Sequence, residues 1–293
     1  MDLLIILLLC LLAATKVLTQ SRFAKNNTKG IADSALFNAL VFATMALLSF
    51  LISDIKEINL SLFMGAAFFG FFNVSFQMLY QIALSCGPTS ITALIASMAS
   101  IVPLITSAVF YKEPLSAVNF IGVILIVITL VMNADIKKEV GGENAKKVSK
   151  KWFLLTVLAF CGNSLGMLAQ QLYAKTTGAS SSSAFVACSS AFASVIAFGV
   201  FALLRLKGQK PSYRLSFSKA FPCIAVGAVL GVFQILHTYA MAVIPGTVLF
   251  PTYSAGSAIS IALGSTVVFR EKLSRAQFVS LIIGITAIVL INI

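Results

Sequence analysis

The chain has 293 residues, 59% hydrophobic and only 10% charged, with a mean hydropathy of +1.00; a water-soluble domain needs far more polar surface than this. Continuous apolar runs of about 20 residues, the length of a helix crossing a ~30 Å hydrocarbon core, make it an integral membrane chain and exclude a barrel of alternating strands. The net charge of +12 lies in short connections between the runs, where it meets lipid headgroups and sets orientation, so nucleic acid is not an expected partner.

Polar breaks predict an all-α fold of ten transmembrane helices: 3–22, 35–53, 59–82, 90–111, 117–133, 152–175, 183–204, 220–242, 248–269 and 276–293. The first run opens on Met1-Asp2 with no basic residue and has no small-residue cleavage site, so it is expected to be a span and not a signal peptide. It carries Lys16, Gln20 and Phe23 at i, i+4 and i+7, one helical face. A lysine at the bilayer centre costs roughly 2.5 to 3.5 kcal/mol on insertion scales. Lys16 therefore either lines a polar cavity or snorkels towards Arg22 and Lys25, and both readings stand.

Span three sets Asn73, Gln77 and Tyr80 on one face, with Gln81 beside them. Span four carries Thr92, Ser97 and Ser100, which suit close packing, and Pro103, which is expected to break or bend it. The stretch DIKKEVGGENAKKVSKK, Asp135 to Lys151, reads as a basic linker. Span six then brings Asn163 and Gln170, span eight Gln234, His237, Thr238 and Tyr239, and span nine Pro251, Tyr253, Ser254 and Ser257. Gly162 with Gly166, and Gly227 with Gly231, have the spacing of helix contacts. The five cysteines show no metal-ligand spacing and read as small buried hydrophobes, so neither a metal nor a cofactor is expected.

The linker separates two halves that echo each other. QSRFAK (Gln20–Lys25) answers QQLYAK (Gln170–Lys175), QMLYQIALSCGP (Gln77–Pro88) answers QILHTYAMAVIP (Gln234–Pro245), and YKEPLSAVNF (Tyr111–Phe120) answers FREKLSRAQF (Phe269–Phe278). The matches keep their order, at offsets of 150, 157 and 158 residues, and include Gln, Lys, Glu and Pro that apolar drift does not explain. A first repeat at 1–134, a linker at 135–151 and a second repeat at 152–293 follow. Each repeat has an odd number of spans, so the second must enter from the opposite side, giving two inverted five-helix repeats. At the repeated corner, Ser116 and Ser274 are placed to cap the next helix, Gln277 completes a capping box, and Glu113 and Glu271 can support a helix start or pair with a cation.

Pro103 followed ten residues later by Glu113, then Leu115-Ser116 and Gly122, resembles the EamA-type members of the ten-helix drug/metabolite transporter superfamily. The second half repeats Glu271, Leu273-Ser274 and Gly284, but has Ile261 at the proline position. The resemblance implies a multi-pass protein of the plasma (inner) membrane that exports amino acids or related metabolites, with lipophilic drugs or toxic compounds as the alternative cargo. It also implies cytoplasmic termini. The charge distribution implies the reverse: apart from Lys16, one side holds only Lys56, Lys112 and Lys175, which places the basic connections in the cytoplasm and both termini outside.

No span carries Asp or Glu in its interior, so an intramembrane carboxylate is not expected to couple transport to protons, although His237 can titrate. Lipid-facing amides would be expensive, and the polar stripes on related helices should turn inward around a wet cavity. The candidate substrate-binding residues are Lys16, Gln20, Asn73, Gln77, Tyr80, Asn163, Gln170, Gln234, His237, Tyr239 and Tyr253. A membrane enzyme would need a nucleophile, base or metal cluster, and the sequence has no HExxH or GxSxG and a single histidine. A non-transporting scaffold would need soluble appendages, and both ends stop almost at the membrane. The expected partners are a small-molecule substrate and the lipid bilayer, with a homodimer left open.

Overall fold

A computed structural model describes residues 2–87, 89–114 and 149–268, with single helical positions between 117 and 128 and between 279 and 290. Spans 117–133 and 276–293 therefore lie largely outside the described residues, as do most of the linker, Ser116, Glu271, Ser274, Gln277 and Gly284. Among the described residues every regular element is helical. They are α1 (Asp2–Asn27), α2 (Ile31–Ile52), α3 (Leu60–Cys86), α4 (Thr89–Ser97), α5 (Ile101–Val109), α6 (Lys150–Thr177), α7 (Ser182–Leu206), α8 (Phe217–Val243) and α9 (Gly246–Val268), with tighter 3-10 turns at Ile55–Glu57 and Met98–Ser100. Six of them, α1, α2, α3, α6, α7 and α8, are long and apolar enough to cross a membrane.

The helices run longer than the apolar runs predict, because polar residues near their ends still find partners. Asn59 caps α3 by accepting the Leu62 amide at 2.9 Å, and Ser149 caps α6 by accepting that of Trp152 at 3.1 Å. Gly178 closes α6 with a positive φ of 84°, which a side chain would strain, and donates its N–H to Ala174 O at 3.0 Å. Asp33 lies in the first turn of α2, where its carboxylate accepts the backbone N–H of Lys29, Gly30 and Ser212 and the hydroxyl of Ser212.

The expected span four is two short helices, α4 and α5, joined by the turn at Met98–Ser100. Pro103 has no N–H to give Ala99 and its ring crowds that carbonyl, so the chain tightens one turn earlier. Pro251 sits within a continuous α9. As the sixth residue of that helix it has no N–H to give the Thr247 carbonyl, so the helix continues past one missing backbone bond.

Burial is arranged for a lipid solvent. Leu4, Leu7 and Leu11 are exposed on α1 while Lys16, Gln20 and Ser21 on the same helix are buried. Water would reverse that pattern; hydrocarbon enforces it, since amides and ammonium groups have no partners there. In the interior α2 packs along α7, α3 lies against α6 and α7, and α8 lies against α1 and α2, while α1 also crosses α9. Glycines set the closest approaches. A Cβ on Gly70 of α3 would fall 2.5 Å from Ser189 O of α7, and one on Gly227 of α8 would fall 2.6 Å from Val41 O of α2. The ring of Phe185 on α7 stacks on Tyr173 of α6 at 4.0 Å and on Phe69 of α3 at 5.4 Å, fastening those three helices.

Candidate functional site

The polar stripes of α1, α3, α6 and α8 converge on one cavity, with α4 and α9 completing its wall. Its free volume is about 90 Å³. Lys16, Asn73, Gln77, Tyr80, Asn163, Gln170, Gln234, His237 and Tyr253 all line it. Among the described residues no aspartate or glutamate does.

Lys16 is 8% exposed, and its ammonium lies 5.7 Å from the Phe76 ring centre and 5.8 Å from that of Tyr80. The side chain is thus folded against aromatic faces on the inner side of α1, on the wall of the cavity. Gln20, one turn further along, is fully buried behind the wall and donates Nε2 to Gln77 Oε1 at 3.4 Å.

The second half repeats that bond. Gln170 donates Nε2 to Gln234 Oε1 at 3.0 Å and also reaches Thr238 Oγ1 at 2.7 Å. The aromatic flank is repeated too. Phe76 and Tyr80 have ring centres 5.2 Å apart, and Phe233 and His237, at the same spacing one repeat later, are also 5.2 Å apart. His237 is stacked on Phe233 and tilted against Tyr253 at 5.2 Å, and both of its ring nitrogens are buried without a hydrogen-bond partner.

Asn163 of α6 reaches across to the broken span, donating Nδ2 to Ala96 O at 2.9 Å. The break before Pro103 thus turns a backbone carbonyl towards a cavity residue. Gln171 does the same behind the wall, donating to Pro103 O at 3.1 Å and to Ser107 Oγ at 2.6 Å. Gln81 turns away from the cavity: it accepts from Asn38 Nδ2 at 2.9 Å and donates to Thr28 Oγ1 at 3.1 Å, tying α3 to α2 and the end of α1. Thr92 accepts from the Trp152 indole, and Ser100 and Ser254 share a hydrogen bond, so these small residues tie helices together as expected.

Besides Gln20, which lies behind the wall, Tyr239 is the candidate that the cavity leaves out. It is 36% exposed and absent from the cavity wall. Two residues past His237 on a helix of 3.6 residues per turn, it is rotated about 200° away. Conversely, Phe76 and Phe233 flank the cavity and went unrecognised, although each immediately precedes its repeated glutamine. Glu113 lies well outside the cavity. It pairs with Lys175 at 2.8 Å and accepts the Thr247 amide at 3.1 Å, so it supports the start of α9 as well as neutralising a cation at the end of α6.

Three comparisons bear on this arrangement. A crystal structure shares the fold with a TM-score of 0.72 over 99% of this chain and 95% of its own, at 14% sequence identity. No curated protein matches the chain. Residues 2–134 match the model of the EamA-like transporter family.

Proposed function

We propose that this chain, EamA-like across residues 2–134 and thereby a membrane transporter of the drug/metabolite transporter superfamily, is a secondary carrier working by alternating access. Its cargo is a small polar or amphipathic metabolite of amino-acid-like size, moved outward across the plasma membrane. Two inverted five-helix repeats, 1–134 and 152–293, rock about the cavity between them. The observation that carries this reading is a cavity walled by amide side chains from both halves, with the Gln20–Gln77 bond answered by Gln170–Gln234. The packing supports it. Exchanging each helix for its repeat partner turns the α3 contacts with α6 and α7 into the α8 contacts with α1 and α2, and returns the α2–α7 contact to itself. The tight glycines Gly70 and Gly227 exchange in the same way.

Within the cavity, Gln77, Gln234, Asn73 and Asn163 offer donors and acceptors to the cargo, while Tyr80 and Tyr253 present faces to its apolar part. Gln20 and Gln170 hold the two inner glutamines in place. Lining by amides without a carboxylate suits exchange or facilitated diffusion better than proton coupling. Purified protein in liposomes should therefore show counterflow of at least one amino-acid-like metabolite with the proton gradient collapsed. Silence across a broad panel overturns carriage; strict dependence on a pH gradient overturns the uncoupled mode.

A further inference from the structure

We propose that the cavity selects an organic monocarboxylate, and that Lys16 receives its carboxylate. This rests on the carrier reading above and names the substrate class of that site. Among the described residues Lys16 is the one lysine or arginine on the cavity wall, and it has neither an ion pair nor a hydrogen bond there, only the rings of Phe76 and Tyr80. Among the described residues Asp and Glu are absent from that wall. An ammonium enclosed by amides and apolar groups costs several kcal/mol unless it is neutralised, and ring faces recover only part of that. A carboxylate carried in by the cargo supplies the missing counter-ion at the moment the cavity closes.

A second polar group of the lining meets another part of the molecule. Both nitrogens of His237 are buried in the cavity wall without partners. A neutral imidazole there offers one donor and one acceptor, which suits a hydroxyl or amino group. Phe76, Tyr80, Phe233 and Tyr253 line the rest of the cavity, leaving an apolar or aromatic body as the part that fills it. The repeat also limits the charge. The position related to Lys16 by the 150-residue offset is Gly166, which lines the same cavity without a side chain, so a second anionic group would find no cation. A 2-hydroxy or 2-amino acid with a branched or aromatic side chain has this pattern; a dicarboxylate or phosphate ester does not.

The test is counterflow in proteoliposomes with matched pairs, each 2-hydroxy or 2-amino acid against its own primary amide, after subtraction of protein-free vesicles. Carboxylates should exceed their amides by about tenfold or more. Lys16→Gln should bring that ratio close to one, and Lys16→Arg should keep it. Should Lys16→Gln fail to fold, the wild-type protein gives a second readout: carboxylates, and not amides, should raise its Tm in detergent. Amides carried as well as the acids, or a ratio unchanged in folded Lys16→Gln, overturn the assignment and leave the carrier reading standing. Absence of counterflow for every pair overturns both.

Discussion

At the residue scale, the cavity was legible wherever a polar side chain repeated at helical spacing inside an apolar run. Gln77 and Gln234 are the plainest case, since an amide in hydrocarbon must turn inward and the duplication gives each a counterpart. Aromatic residues carry no such signal. Phe76 and Phe233 are as apolar as the lipid-facing Phe68 and Phe71, and only their place beside the repeated glutamines sets them apart. Tyr239 shows the opposite error, because a tyrosine attracts attention by type while its angular position on α8 puts it outside. Tyr239→Leu should therefore leave counterflow within about twofold of the wild type, whereas a cavity-wall change such as Tyr253→Ala should lower it by about tenfold or more. Transport assays on the two variants at matched expression check this, and a strong loss in Tyr239→Leu would return that residue to the site.

At the scale of elements, what the sequence could not show was which glycines bring helices together. Spacing singled out Gly162 with Gly166 and Gly227 with Gly231, yet their surroundings differ. A Cβ at Gly227 would strike the Val41 carbonyl and Thr44, while at Gly166 or Gly231 it would meet ordinary van der Waals neighbours. Gly70, which has no glycine partner four residues away, makes the closest approach of the set to a facing backbone. Crossing geometry depends on both helices, and a one-chain spacing rule sees only one of them. Gly70→Ala and Gly227→Ala should each destabilise the protein by about 1–3 kcal/mol, because the obstructing atoms are backbone carbonyls that cannot swing aside. Gly199 on α7 has open space where its Cβ would be, and Gly199→Ala should instead stabilise by about 0.5–1 kcal/mol through helix propensity. Thermal unfolding in detergent measures all three; a neutral Gly227→Ala would mean that α8 and α2 are free to part. The break in span four was legible for a different reason. A proline acts on its own helix, so Pro103 could be read locally, whereas the partner that uses the break, Asn163, could not.

At the scale of the whole molecule, the proposed duplication makes a demand on topology that can be tested. If the second repeat is inverted, equivalent connections must lie on opposite faces of the membrane. Lys29 follows α1 and Ser180 follows α6, its repeat counterpart, and both are exposed. The charge distribution adds a sign, since Arg22, Lys25 and Lys29 cluster at the first of these connections while Lys175 stands at the second and is already paired with Glu113. In intact cells expressing a variant without its native cysteines, Ser180→Cys should react with a membrane-impermeant maleimide, and Lys29→Cys should react only after permeabilisation. Reaction of both from one side would remove the inverted repeat, and with it the reason for a cavity walled equally by both halves. The mirror-image result would keep the inversion but place both termini in the cytoplasm, showing that the basic connections are outweighed as orientation signals. The buried polar pattern is indifferent to that choice: the Gln20–Gln77 and Gln170–Gln234 bonds both lie in the C-terminal half of the helices that carry them, so in an inverted repeat turning the molecule over exchanges one bond for the other.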